Sequence, residues 1–436
     1  SQAPDIVRKT GAQAYISGSF QGRGDTYRIL ANLFSTEGGE ILHRWQVEGN
    51  PNSDAYLVLV DSLCRLIRSE LEIRALEQEV AFDFRKAYTS SSEAYRHYIG
   101  GMNALIRCNF DYAIEHLKKA LEIDSTFAFA TFYIAMALNY NIAEWENTIG
   151  WVTRAYELKS ALPIIYQQWI DLWYSCFFYN DLTILRQQLT ALESSGIESR
   201  LFWNDLANTR RDYTDNPDQA LKNYEMVMRI SERRGDPWRF AAFYVGYGRA
   251  LHIKDRYQEA EEMYSQALKL TTEETVRRSC FGRWAINAIS SGDSAKASEL
   301  IEEYRLSNSK LGEQDNYEYY RCMIYYEAKD YEKAEAETRL FLLNNPDHQE
   351  GRLLLANTLI VGELDPQEGL DLINTLLVQN PEALQLLDSK AFALHKLGRH
   401  QEALDILEKN TALYKGFNPR HHKYLQNVRE AISGDI

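Results

Sequence analysis

The constraint that matters most is a phrase the chain repeats. Its clearest copy runs from Ala94 to Phe127, AYRHYIGGMNALIRCNFDYAIEHLKKALEIDSTF. Tyr98, Gly101 and Leu105, then Phe110, Ala113, Leu117 and Ala120, fall at helical spacing. The small residues Gly101, Ala113 and Ala120 let two helix backbones approach closely. A second copy, FYVGYGRALHIKDRYQEAEEMYSQALKL, keeps the order with Gly248, Tyr257, Ala260, Tyr264 and Ala267. A third, LDSKAFALHKLGRHQEALDILEKN, has Ala391, Gly398, Ala403 and Leu407. One helix pair cannot bury its own apolar face, so a repeated pair predicts a stack.

A helix, turn and helix recurring every roughly 34 residues resembles the tetratricopeptide repeat family. The resemblance implies a mainly α protein: a right-handed α-α superhelix of about nine helix pairs making about one superhelical turn. The small residue inside the second helix can be followed as Ala113, Thr148, Ala220, Ala260, Ala297, Ala334, Gly369 and Ala403, with two pairs between Thr148 and Ala220. The intervening pair, PIIYQQWIDLWYSCFFYNDLTILRQQLTALESS, is degenerate and aromatic. Asn345-Pro346 and Asn380-Pro381 end two repeats. We place the solenoid at 94–417 and a capping helix at 418–436, with Asn418 as cap and Leu425, Val428 and Ile432 as its apolar side. Arg420, His421, His422 and Lys423 at its start are expected to be a solvated cluster.

Residues 1–80 read as a small α+β segment, joined through a bridge at 81–93. Ala14–Phe20, Tyr27–Phe34 and Ile41–Val47 alternate and are linked by short glycine-bearing turns, which predicts a three-stranded antiparallel meander. Tyr27, Ile29, Ala31 and Leu33, with Ile41, Trp45 and Val47, should share a face. A helix capped by Asp54 follows, with Leu59, Leu63, Leu66, Ile67 and Leu71 as its stripe. Arg23-Gly24-Asp25 marks a hairpin tip, where Gly and Asp suit the turn. The run YISGSF, YRILANLF, GGEILHRW is similar to part of the amino-terminal domain of the Tol-system propeller protein TolB. Relatives of that domain precede tetratricopeptide arrays in bacterial membrane-anchored regulators. That likeness implies a sensing or interaction region, favours the periplasmic side of a bacterial membrane, and with Ser1 in place of an initiator Met leaves room for an upstream anchor.

The formal net charge of −14 disfavours a nucleic-acid partner. No apolar run is long enough to span a membrane. Five scattered cysteines (Cys64, Cys108, Cys176, Cys280, Cys322) and nine histidines show no ligand spacing, so neither a metal nor a cofactor is expected. No nucleophile has an activating neighbour, and the chain is expected to be a non-enzymatic scaffold binding a protein or peptide segment in a concave groove. The family's inner-face positions correspond here to Tyr133, Tyr140, Tyr166, Trp169, Trp173, Arg249, His252, Tyr319 and Tyr326, with Tyr95, Tyr98 and Phe392 beside them. About half of these are expected to serve packing. Trp169 and Trp173, four residues apart, are the expected anchor pair. A carbohydrate-binding surface protein, stacking sugars on the same aromatic wall, is the alternative.

Overall fold

The computed structural model describes residues 14–23, 26–36, 40–49, 63, 67, 89, 91–140, 145–214, 216–235, 237–313 and 317–434. The chain divides into two compact units, Ser1–Phe84 and Arg85–Ile436.

In the first unit β1 (Ala14–Arg23), β2 (Thr26–Ser35) and β3 (Ile41–Gly49) form an antiparallel sheet in the order β1-β2-β3. Ala31, Leu33 and Trp45 are buried with Leu63, and Ile29, Val47 and Ile67 pack against them, as the alternation requires. Ile41 does not join that face. A bulge between Leu33 and Phe34 pairs Leu33 with His43 but Phe34 with Ile41, and this extra residue leaves Ile41 exposed. Gly24, Asp25, Asp54, Leu59, Cys64, Leu66 and Leu71, on which other expectations fell, lie outside the described residues, as does the side chain of Tyr27.

The second unit is a tetratricopeptide-like array of 19 helices, nine pairs and a last single helix. The pairs are α1 (Ser92–Ile106) with α2 (Phe110–Ile123), α3 (Ala128–Tyr140) with α4 (Trp145–Leu158), and α5 (Ile164–Phe178) with α6 (Leu182–Glu193). Then come α7 (Arg200–Tyr213) with α8 (Pro217–Arg234), α9 (Ala241–Ile253) with α10 (Tyr257–Leu270), and α11 (Glu274–Ser290) with α12 (Ser294–Lys310). The last three are α13 (Tyr317–Glu327) with α14 (Tyr331–Asn344), α15 (Gln349–Val361) with α16 (Pro366–Gln379), and α17 (Leu384–Lys396) with α18 (His400–Thr411). Helix α19 (Pro419–Ser433) closes the series.

Within a pair the small residue does what its volume suggests. Gly248 on α9 lies against Tyr264 of α10 so closely that a Cβ would sit 2.7 Å from the ring. The small residue is the fourth of its helix in eight second helices. In α6 the fourth residue is Leu185, fully buried, so the degenerate third pair keeps the register but carries a larger side chain at the contact. Each first helix also touches the next first helix along much of the array, which brings the first helices to the inside of the curve. No helix of the described residues is long and apolar enough to cross a membrane.

The coil returns on itself. The turn between α1 and α2 reaches the turn before α11, where Asn109 Nδ2 donates to Glu273 Oε1 at 3.2 Å. The connection after α18 reaches the end of α5, where the Phe417 N–H donates to the Cys176 carbonyl at 3.1 Å. The third pair thus meets the ninth, and the nine pairs exceed the single turn expected from the sequence.

Candidate functional site

The aromatic wall expected along the first helices is largely consumed by packing. Trp169 and Trp173 on α5 are 3% and 4% exposed, and so do not form a ligand surface. Both indole Nε1 groups donate to one oxygen, Asp205 Oδ2 on α7, at 2.5 and 2.7 Å. Phe132 of α3 stacks on Trp173 at 5.0 Å and meets Trp169 edge-on at 5.2 Å. The expectation failed because rings of α3, α5 and α7 pack on one another, Phe132 on Trp169 and Trp173 and Phe202 on Trp169, and fill the seams between these first helices.

Tyr140 belongs to the same packed region. Its hydroxyl accepts from Asn204 Nδ2 at 2.6 Å, and its ring packs against Phe110 and Phe240. Burial, then the charge of Asp205, raises its pKa well above the usual phenol value. Tyr133 and Tyr166 are half-buried on either side of Phe132, and Tyr98 and Phe392 are buried. Tyr95 is half-buried and its ring lies 5.8 Å from that of Tyr98.

Asp205 is the residue that sequence reasoning missed. It is wholly buried, and its Oδ1, like Oδ1 of the adjacent Asn204, meets no hydrogen-bond donor among the described residues. Burial lifts the carboxyl to about 6, against the opposing pull of the two indole N–H groups. The available signal was NDLANTRRDY, a polar run inside a first helix whose counterparts are apolar.

The inner face from α7 to α13 is different in kind. Arg211 donates through Nε and Nη2 to both carboxylate oxygens of Asp212, at 2.9 and 2.6 Å, and through Nη1 to the Gly246 carbonyl at 3.1 Å. Arg249 on α9 approaches Asp212 Oδ1 at 3.1 Å. Arg283 on α11 pairs with Glu327 on α13. Asp212 is held at about 2, because the Arg211 and Arg249 charges overcome its burial. Arg249 is pushed down to about 10 by burial, with Asp212 opposing and the like charges of Arg211 and Arg283 assisting. Its side chain stays 36% exposed, and among the described residues its ion-pair partner is Asp212. His252, one turn on, bonds through Nδ1 to Asn287 Oδ1 at 3.2 Å, and burial lowers its pKa.

Tyr319 and Tyr326 on α13 are half-buried. Tyr319 packs beside His348 and Phe341, and Tyr326 beside Tyr331. Of the nine expected site residues, the structure therefore gathers Tyr140, Trp169 and Trp173 around the Asn204–Asp205 step and leaves Arg249 and His252 together on α9. Tyr319 and Tyr326 lie further along the inner face.

The start of α19 is solvated only in part: Arg420 and Lys423 are exposed as expected, but His422 is half-buried. His421 is wholly buried; its Nδ1 meets Asp388 Oδ1 at 2.9 Å and its Nε2 meets Thr411 Oγ1 at 2.8 Å. Asn410 Nδ2 and the Tyr414 hydroxyl also donate to Asp388, at 2.9 and 2.7 Å. The acid–imidazole–hydroxyl order is that of a hydrolase, but the Thr411 hydroxyl donates to the Leu407 carbonyl at 2.8 Å and the group is sealed. It fastens α19 to α17. Cys108, Cys176, Cys280 and Cys322 are buried free thiols, and burial pushes Cys108 and Cys280 up to about 12. No three-residue group of His, Cys, Asp or Glu that could hold a metal occurs among the described residues.

Residues 241–273, which span α9 and α10, match the tetratricopeptide repeat family. The resemblance of residues 1–80 to the TolB domain rests on their sequence alone. Among solved structures the chain is similar to yeast Tom70, at 15% identity over 88% of this chain and 75% of that one, with a TM-score of 0.37. It is similar also to the P58(IPK) TPR domain, at 12% identity over 79% of this chain and 99% of that one, TM-score 0.25. A tetratricopeptide repeat protein from Parabacteroides merdae shares 18% identity over 54% of this chain and 88% of that one, TM-score 0.30. No curated protein matches the chain.

Proposed function

We propose that this tetratricopeptide repeat protein is a non-enzymatic scaffold whose inner face from α7 to α13 takes a peptide segment bearing an acidic side chain. One observation carries the reading. Three guanidiniums (Arg211, Arg249, Arg283) stand with two carboxylates (Asp212, Glu327) on four successive first helices, three positive charges against two negative. In a chain of net charge −14, that leaves a local cationic excess at Arg249, the least buried of the three guanidiniums. A carboxylate placed against Arg249 gains charge-assisted hydrogen bonds and relieves the repulsion from its like neighbours. Ordering a flexible peptide offsets much of the gain, so affinity around micromolar is expected.

The test is a selection of peptides from a random display library on the full chain. Selected peptides should carry Asp or Glu at a fixed place. Arg249→Glu should weaken them by about tenfold or more, the scale of a charge-assisted hydrogen bond. Peptides without acidic enrichment, bound equally by both proteins, would end the reading.

The glycan alternative needed an exposed aromatic platform, and Trp169 and Trp173 do not supply one. A role as the interaction region of a membrane-anchored bacterial regulator is supported by the sequence resemblance of residues 1–80. The gene sequence upstream tests it: a membrane-spanning segment with an output domain supports the role, and a lipobox cysteine counts against it.

A further inference from the structure

The junction between the third and ninth pairs is made at one place. Thr411 to His422 runs from the end of α18 into α19, and its partner is the end of α5 with the residues after it. Asn180 Nδ2 donates to the Thr411 carbonyl at 3.2 Å, and Asn180 Oδ1 meets His422 Nε2 at 2.6 Å. The Phe417 N–H donates to the Cys176 carbonyl at 3.1 Å. Phe417 is buried, stacked on His422 at 4.5 Å with Tyr213 of α7 nearby at 6.4 Å. Gly416 lies so close to α5 that a Cβ there would stand 2.3 Å from the Phe177 carbonyl oxygen. Among the described residues the helices of the third pair do not pack broadly on α18 or α19. The connection carries the junction.

We infer that residues 411–422 are a clasp, which closes the inner face between the third and ninth pairs and opens with the ninth pair and α19 moving as one body. The balance of contacts sets where it parts. On one side, α19 is fixed to α17 by the sealed Asp388–His421 group and by Tyr424, Leu425 and Val428 in the terminal core. On the other, the hydrogen bonds seen among the described residues are the backbone one from Phe417 to α5 and the two made by Asn180, with the Phe417 ring beside them. The ninth pair also has a helix-pair neighbour on one side only, and terminal units of a solenoid open most readily. Gly416 fits this role because a residue with a Cβ could not let the two backbones meet. Resting on the peptide-binding reading above, the clasp controls entry: Phe417 stands beside Tyr213, whose neighbour Asp212 pairs with Arg249, so the closed junction borders the cationic cluster and its opening sets the association rate.

The test uses the full chain, with amide hydrogen exchange as the readout that needs no ligand. The Phe417 N–H should exchange at least tenfold faster than that of Val428 inside α19. Gly416→Val, and independently Asn180→Ala, should raise exchange at Phe417 and at residues 177–180 by a further tenfold, leaving the interiors of α17 and α19 unchanged. Association of a display-selected acidic peptide should quicken at least fivefold in both variants. Exchange at Phe417 within threefold of Val428 in the unaltered chain overturns the clasp, as does a rise that spreads equally through α17 and α19. An unchanged association rate beside the expected exchange overturns the control of entry. If no peptide binds any of the proteins, the peptide-binding reading fails, and the exchange data still decide the clasp.

Discussion

Asp205 gives a stability prediction with a definite sign. Its carboxyl sits near 6 in the folded chain against 3.8 for the free side chain, because burial outweighs the two indole hydrogen bonds. The folded state therefore binds this proton more tightly than the unfolded one between about pH 4 and 6. Its contribution to stability is complete below pH 4 and is lost as pH rises through about 6. A shift of some two units corresponds to about 3 kcal/mol at most. Asp205→Asn removes the charge, and its amide oxygen can still accept from Trp169 and Trp173, with Nδ2 in the place of the unpartnered Oδ1. Thermal unfolding of both proteins from pH 4.5 to 8 isolates the effect, since every other group titrates in both. Asp205→Asn should gain on the unaltered chain as pH rises, with most of the gain between pH 5 and 7 and a plateau above. Indole fluorescence of the unaltered chain should change with a midpoint near 6. A difference in melting temperature that stays flat from pH 5 to 7.5 would refute the reasoning, because it would mean that Asp205 is ionised and solvated throughout.

Other perturbations probe other parts of the array. Trp173→Ala should lower stability by about 3–5 kcal/mol in denaturant unfolding, as for a large core ring; a near-neutral result would return it to the surface. Lys329, at φ 61, turns the chain between α13 and α14, where Gly292 at φ 83 does the same between α11 and α12. Lys329→Gly should therefore stabilise by about 0.5–1 kcal/mol, and a loss of stability would show that the Lys329 side chain matters more than its backbone. Asp388→Ala strands His421, Asn410 and Tyr414 in the interior, a loss of about 3–5 kcal/mol. Hydrogen exchange should then rise across 384–433 while α9 to α11 stay protected, and a uniform rise would mean that the array unfolds as one.

Local repetition made the pairs legible. The fourth-residue rule of the second helices needs contacts only within a pair, so Ala113, Ala260 and Ala403 announced themselves. Leu185 hid the third pair because the rule was followed in place but not in size. What sequence could not disclose was which inner-face ring has a neighbour from a distant part of the chain. Tyr140 is partnered by Asn204, 64 positions away, and no periodicity within α3 records that. The same holds for Trp169 and Trp173, whose exposure was decided by Asp205 on another helix. Arg249 and His252 could be placed on a first helix because α9 belongs to a well-preserved copy of the repeat. The charged residues around Arg249, Asp212 with Arg283 and Glu327, come from three further helices. In the sheet, alternation located the buried face but could not foresee the bulge that turned Ile41 away.

The claim that binding lies in the second half of the inner face can be measured by a footprint. A display-selected acidic peptide is added to the full chain, and amide exchange is compared with and without it. Protection should appear in residues 241–253, 274–290 and 317–327, the helices that carry Arg249, Arg283 and Glu327. Protection confined to α3 and α5, around Tyr133 and Tyr166, would contradict the account and restore the aromatic wall as the binding surface.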